Sequence, residues 1–203
     1  MKLYLASTSP RRRQILNRLG WKYQTIKPTF LEPTINYTAD AKKLSITIAL
    51  LKTLSTARQL QSGCANCRRQ TGIVLGFDTI VTINRQILGK PRNQTEARRM
   101  LNLLSNKTHQ VITGIAIIRL PEYRILTDAE KTLVTFRKLT EKEIATYIES
   151  KEPYDKAGAY ALQGKAGLFV KHINGCYLNV IGLPVNLLLA MLKKLNWQPE
   201  NSG

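Results

Sequence analysis

The 203 residues, 43% of them hydrophobic, are enough to bury a real core as one domain or two closely joined lobes, so disorder is not the default. Thirty-one Lys and Arg against thirteen Asp and Glu give a formal charge of +18, which would draw any polyanion, whether nucleotide, nucleic acid or anionic membrane, without choosing among them. The opening MKLYLAST is too short an apolar run for a signal peptide and no later stretch reaches bilayer length, which predicts a cytoplasmic protein without a membrane partner.

In chain order, Leu3 to Ala6 reads as a short alternating strand. Ser9 and Pro10 then read as the N-cap and first position of a helix with apolar members Ile15, Leu16 and Leu19. A second helix is predicted over 41–58, followed by a polar surface loop over 59–71. That loop holds Cys64 and Cys67. With Cys176 they make a small odd set, simpler as reduced thiols than as a zinc site. Residues 73–83 are nearly all apolar and β-branched, as a central strand requires, and Asn84-Arg85 turns them into a short partner ending at Gly89. Asn93 with Glu96 caps a helix carrying Ala97, Met100, Leu101 and Leu104 on one face. Strands are predicted over 111–120 and 131–137. Thr140 with Glu143 is a capping box opening a helix that buries Ile144, Tyr147 and Ile148. A loop rich in Gly and Lys precedes a strand over 168–173, an Asn174-Gly175 hairpin turn and a last helix over 184–195; a frayed tail is expected over 197–203. Interleaved strands and helices with hairpins predict an α/β fold, a mixed sheet flanked by helices, as one domain over 1–196.

Three features break local rules, which is where function is to be sought. Arg11, Arg12 and Arg13 crowd the first turn of a helix, where the macrodipole disfavours cations. Either the turn is simply solvated, or a bound anion reverses the sign of that penalty. Asp78 lies between Phe77 and Ile80 in the most apolar strand, so it either bonds to a nearby turn or faces a cleft. Acidic residues are scarce, and Glu96, Glu143, Glu141, Glu149 and Glu200 have ordinary capping, surface or tail explanations. Glu32, Asp78, Glu152 and Asp155 remain to hold a metal or activate water. No G-x-x-x-x-G-K-[ST], G-x-G-x-x-G or G-x-S-x-G occurs, and His109 and His172, at or within strands, read as structural.

The segments LASTSPRR, GFDTIV, ILGKP, THQVITGIAI, EPYDKAGAYALQG and NVIGLP, in order from Leu5 to Pro184, resemble the Maf family of nucleotide pyrophosphatases. The resemblance implies an inosine-triphosphatase-like fold with two lobes around a nucleotide cleft. It also implies hydrolysis of a nucleoside triphosphate to monophosphate and pyrophosphate with a divalent cation, Mg2+ or Mn2+. Carried over by position, Asp78 is the proton acceptor, Arg11, Arg12, Lys52, Lys90, Asp155 and Lys156 bind substrate, and Glu32 with Asp78 holds the metal. Arg11, Thr79 and Gln163 match the subgroup acting on dTTP and UTP. Phe77 stands where the family has a small residue, implying a crowded pocket, and Cys176 where it has an acidic one. The biological role implied is house-cleaning of normal or modified nucleotides, with a link to cell-division arrest able to coexist and a homodimer left open. The rival from another class is a basic RNA-binding protein without catalysis.

Overall fold

The computed structural model describes residues 1–29, 40–62 and 70–199. Glu32, Cys64 and Cys67 therefore lie outside the described residues. In chain order the elements are β1 (Leu3–Ala6), α1 (Pro10–Arg18), β2 (Tyr23–Thr25), α2 (Ala41–Ser62), β3 (Gly72–Ile83), β4 (Gln86–Leu88), α3 (Gln94–Leu104), β5 (Thr108–Leu120), β6 (Arg124–Phe136), α4 (Glu141–Glu149), β7 (Val170–Asn174), α5 (Tyr177–Ile181) and α6 (Val185–Lys193). Short 3-10 turns occupy Glu152–Asp155, Ala157–Ala159 and Lys165–Phe169. The strands form one mixed seven-stranded sheet in the order β2-β1-β3-β5-β6-β7, with β4 also on β3. β1 runs parallel to β2 and β3, and the remaining pairs are antiparallel.

One irregularity of this sheet positions everything that follows. On one edge β3 pairs with β1 from Ile73 to Gly76 and with β4 from Val81 to Ile83. Between them, residues 77–80 have no strand on that edge among the described residues. Asp78 and Thr79 are the two half-open positions in a strand whose other residues are buried, so the chain's most apolar strand is exposed only where its sheet is interrupted.

Alternation along the strands sorts the core into layers. Leu5, Leu75, Phe77, Ile115 and Ile117 pack against Ile15 and Leu16 of α1 and Leu188 and Leu192 of α6. Tyr4, Ala6, Val74 and Ile118 face α2 instead. Far along β3 and β5, Val81, Val111, Val134 and Phe136 meet α3 and α4. α2 turns Ser45, Ile48, Ala49, Thr53 and Thr56 to the sheet, a helical stripe of mostly small side chains. Glycines lie opposite it: a Cβ at Gly114 would stand 2.3 Å from the backbone of Ser45, and one at Gly76 would stand 2.7 Å from the Ala49 carbonyl.

Local signals held where hydrogen bonds are local. Asn93 accepts from Glu96 N at 2.9 Å, and Thr140 and Glu143 form the full reciprocal box, with Glu143 also bound by Arg137. Five expectations need correction. Leu3 to Ala6 is buried throughout, because β1 is interior to the sheet and not half-exposed. Leu19 caps α1 and is 40% exposed. Leu168 falls in a 3-10 turn, and Asn174-Gly175 makes no hairpin. There the Thr132 hydroxyl accepts from Cys176 N and donates to Cys176 O, both at 3.1 Å, which turns the chain out of the sheet and into α5. Trp197 does not fray: its ring packs edge to face on Trp21 at 5.1 Å and its N–H bonds Leu192 O.

His109 is 1% exposed, with Nε2 and the Tyr160 hydroxyl 2.7 Å apart, and burial drives its imidazole down to about 4. Because the folded value lies below the unfolded one near 6.5, the unfolded chain holds the extra proton between those values. Stability from this group is complete above about pH 6.5 and falls as the pH drops to about 4, by up to ~3 kcal/mol. Denaturant melts across that window should show the slope in wild type and not in His109→Gln; parallel curves would mean that His109 titrates as it does in water.

Candidate active site

The break in the β3 edge opens into a cleft of about 830 Å3. Arg11, Arg12, Lys52, Asp78, Thr79, Lys90, Asp155, Lys156 and Gln163 all line it, drawn from five separate parts of the chain. Of the expected candidates that lie among the described residues, only Glu152 is missing from this lining. Its wall is polar near the β1–α1 loop and apolar further along, where Val81, Leu88, Val111 and Tyr160 take over. The size and the two-ended character suit a small ligand with one ionic and one flat apolar part.

Arg12 organises the polar end. It is 9% exposed, with its guanidinium 5.6 Å over the Phe77 ring. Its Nε donates to Gly182 O at 2.9 Å, one terminal nitrogen to Ser7 Oγ at 3.1 Å and the other to Thr79 Oγ1 at 3.2 Å. Burial lowers it to about 10, with Asp78 raising and Arg11 lowering it, so it stays a cation at neutral pH. Five donors with three spent leave two for an anion. Phe77 does not crowd the pocket as its size implied. It points to the opposite face from Asp78, fully buried, and is the platform on which Arg12 lies. Cys176 is likewise away from the cleft, capping α5.

Asp78 faces α2, where Lys52 Nζ donates to its Oδ1 at 2.6 Å; the two side chains are only 15% and 16% exposed. The opposite wall is the 155–163 loop. Gly158 N donates to Gly89 O at 3.0 Å, which ties the loop to the segment carrying Lys90, and Gly158 has φ +70° where a Cβ would strike Val81. Lys156 donates to Asp155. Burial raises the Asp155 carboxyl, but that bond, the Lys156 charge and the Arg11 charge outweigh it and leave it below the ordinary range. Glu152, a candidate from its sequence context, does not reach the cleft. It accepts from Tyr147 Oη and Lys165 N, pinning the base of the same loop.

Three further lining residues are not singled out by the sequence, although Ser7 and Tyr160 lie within LASTSPRR and EPYDKAGAYALQG. Ser7 Oγ accepts from both Arg12 and Ser9 N, which fills its two lone pairs and leaves its proton free to be donated. Lys27 follows β2, and its segment is tied to α2 by Thr29 N to Ser55 Oγ at 2.9 Å and Gln59 Nε2 to Lys27 O at 3.2 Å. Tyr160 is held from behind by His109.

Six cations and two carboxylates therefore share one cleft at a break in a mixed sheet, which defines an α/β protein built to take a small polyanion. The comparisons agree. The chain belongs to the Maf-like protein family, whose model matches residues 2–195. It is 40% identical over 194 residues to a dTTP/UTP pyrophosphatase of Carboxydothermus hydrogenoformans, covering 96% of this chain and 98% of that one. To the dTTP/UTP pyrophosphatase of Bacillus cereus it is 45% identical over 195 residues, covering 96% of each. Among solved structures, the Staphylococcus aureus Ham1 protein matches with a TM-score of 0.50 at 15% identity, over 96% of this chain and all of that one, a likeness of fold. No helix among the described residues is long and apolar enough to cross a membrane.

Proposed function

We propose that the protein hydrolyses nucleoside triphosphates, dTTP and UTP among them, to the monophosphate and pyrophosphate, and that it does so in the cytoplasm as a guard on the nucleotide pool. The observation that carries this reading is the convergence of Arg11, Arg12, Lys52, Lys90 and Lys156 on Asp78 within one cleft. The close relatives named for this reaction support it. The rival RNA-binding reading has no such support.

In this reading water attacks the α-phosphorus and Asp78 accepts its proton. Lys52, in contact with that carboxylate, shares its ammonium with an oxygen of the phosphate chain, while Arg12 and the Ser7 hydroxyl hold another. Arg11, Lys90 and Lys156 neutralise the charge that grows on departing pyrophosphate. The apolar end holds the base, and Arg11, Thr79 and Gln163 are assigned to its selection by their match to the subgroup acting on dTTP and UTP. Charge matching fits: six cations less two carboxylates leave four positive charges for a tetra-anionic triphosphate.

A divalent cation also fits. Mg2+ and Mn2+ take hard oxygen ligands and are held by one or two carboxylates together with phosphates and water. Asp78 supplies such an oxygen at the cleft wall, and Glu32 is proposed as the second. The ion, when bound, neutralises phosphate charge and polarises the P–O bonds. The test is a screen of purified protein against ribo- and deoxynucleoside triphosphates with Mg2+, Mn2+ or chelator, following pyrophosphate and monophosphate together. Equimolar release of both with dTTP or UTP is expected. Stepwise orthophosphate release, or no turnover of any triphosphate, would defeat the reading.

A further inference from the structure

From Thr79 at the cleft wall a chain of hydroxyls and amides runs into the buried interior. Thr79 and Thr113 are directly opposed on β3 and β5, with their hydroxyl oxygens 3.0 Å apart. Thr113 is fully buried and its Oγ1 lies 3.1 Å from the carbonyl oxygen of Asn179, itself fully buried on α5. Asn179 cannot shift: its Nδ2 donates to Val111 O at 3.0 Å and to Thr132 Oγ1 at 2.9 Å. The same Asn179 carbonyl accepts from Gly182 N at 2.9 Å, in the turn whose own carbonyl holds Arg12.

Counting protons along this chain fixes their directions. A carbonyl only accepts, so the Asn179 contact takes the single hydroxyl proton of Thr113. Thr113 then has no proton for Thr79, and the 3.0 Å contact between them is a hydrogen bond only if Thr79 donates. Any other placement forgoes one of these hydrogen bonds, at a cost of about 0.5–1.5 kcal/mol. Thr79 Oγ1 also accepts from Arg12, so one lone pair remains, and Thr79 lines the cleft.

The geometry points to Thr113 as a positioning residue that turns the Thr79 proton inward, so that Thr79 meets the bound nucleotide as an acceptor and selects a base with an imide N–H. This rests on the pyrophosphatase reading. An ionised phosphate has only acceptors and would be repelled at that oxygen, so the partner is another part of the nucleotide. Thymine and uracil share a ring N–H at position 3. Cytosine has a bare ring nitrogen there, and two acceptors then face each other.

The test compares kcat/KM for UTP, CTP and N3-methyluridine triphosphate in wild type, Thr113→Val and Thr113→Ser, with thermal melts of each. Wild type is expected to favour UTP over both analogues by about tenfold or more, since a hydrogen-bonding site rejects a ligand lacking its partner. Thr113→Val keeps the shape but releases the Thr79 proton to turn toward the cleft, and its preference should shrink to within about threefold. Thr113→Ser keeps the hydroxyl and should keep the preference. Thr113→Ala serves the same comparison if the valine variant does not fold. A purely structural role for Thr113 would lower turnover of all three substrates alike, and an unchanged ratio in Thr113→Val, or a wild type indifferent to N3 methylation, overturns the inference. Absence of turnover with every triphosphate would instead defeat the pyrophosphatase reading, and this inference with it.

Discussion

Asp78→Asn is expected to lower kcat for pyrophosphate release by about two to four orders of magnitude, with a melting temperature within a few degrees of wild type. The asymmetry follows from where the side chain sits. Asparagine has the same outline, and its Oδ1 can still accept from Lys52 Nζ, now at 2.6 Å from the carboxylate, so the packing between β3 and α2 survives. What it loses is the ability to take a proton from attacking water. KM should change less than kcat, because Arg11, Arg12, Lys90 and Lys156 still hold the phosphates. Two alternatives are separable in the same assay. If Asp78 only holds the divalent ion, raising Mn2+ will restore the rate of the asparagine variant. If turnover stays near normal without added metal, Asp78 is neither base nor ligand, and the cleft's chemistry must be assigned to another group.

How much of this could be read from the chain depends on the range of the interactions concerned. Helix caps span three or four residues, and both the Asn93 and Thr140 caps are present as expected. Asp78 was legible because a carboxylate inside GFDTIV contradicts its surroundings. Its exposure was not, since that arises from two other strands stopping short: β1 at Ala6 and β4 at Leu88. Likewise Arg12 was marked as a misplaced cation, but nothing local says that Gly182, 170 positions away, supplies its carbonyl. Phe77 shows the same limit from the other side. Its bulk implied obstruction, whereas strand alternation sends the ring to the face away from Asp78 and beneath the guanidinium. Thr113, Asn179 and Lys27 carry ordinary residue types in ordinary patterns, and only sheet register and helix docking give them their places.

The largest effect on stability is expected from adding one carbon at Gly114. This residue pairs with Asp78 across the β3–β5 ladder. Its missing side chain is the space into which α2 settles: a Cβ would stand 2.3 Å from Ser45 C, 2.4 Å from Ser45 O and 2.5 Å from Ile46 N. All three are backbone atoms of a helix, so no rotamer change relieves the clash and α2 must move bodily. Gly114→Ala is therefore expected to cost ~2–3 kcal/mol, which in a chain of this size lowers the melting temperature by about 5–10 °C. Lys52 rides on the same helix, so kcat/KM should fall by at least about tenfold even well below the melting point. Gly76 offers the contrast. The nearest atom to its added carbon is Thr53 Oγ1, at 2.0 Å, the end of a side chain, with the Ala49 carbonyl at 2.7 Å behind it. Removing that hydroxyl with Thr53→Ala should recover part of the stability lost in Gly76→Ala and none of that lost in Gly114→Ala. Equal recovery in both, or a Gly114→Ala protein that melts and turns over like wild type, would show that α2 is not seated on β5 as described and that the Lys52–Asp78 pair does not depend on it.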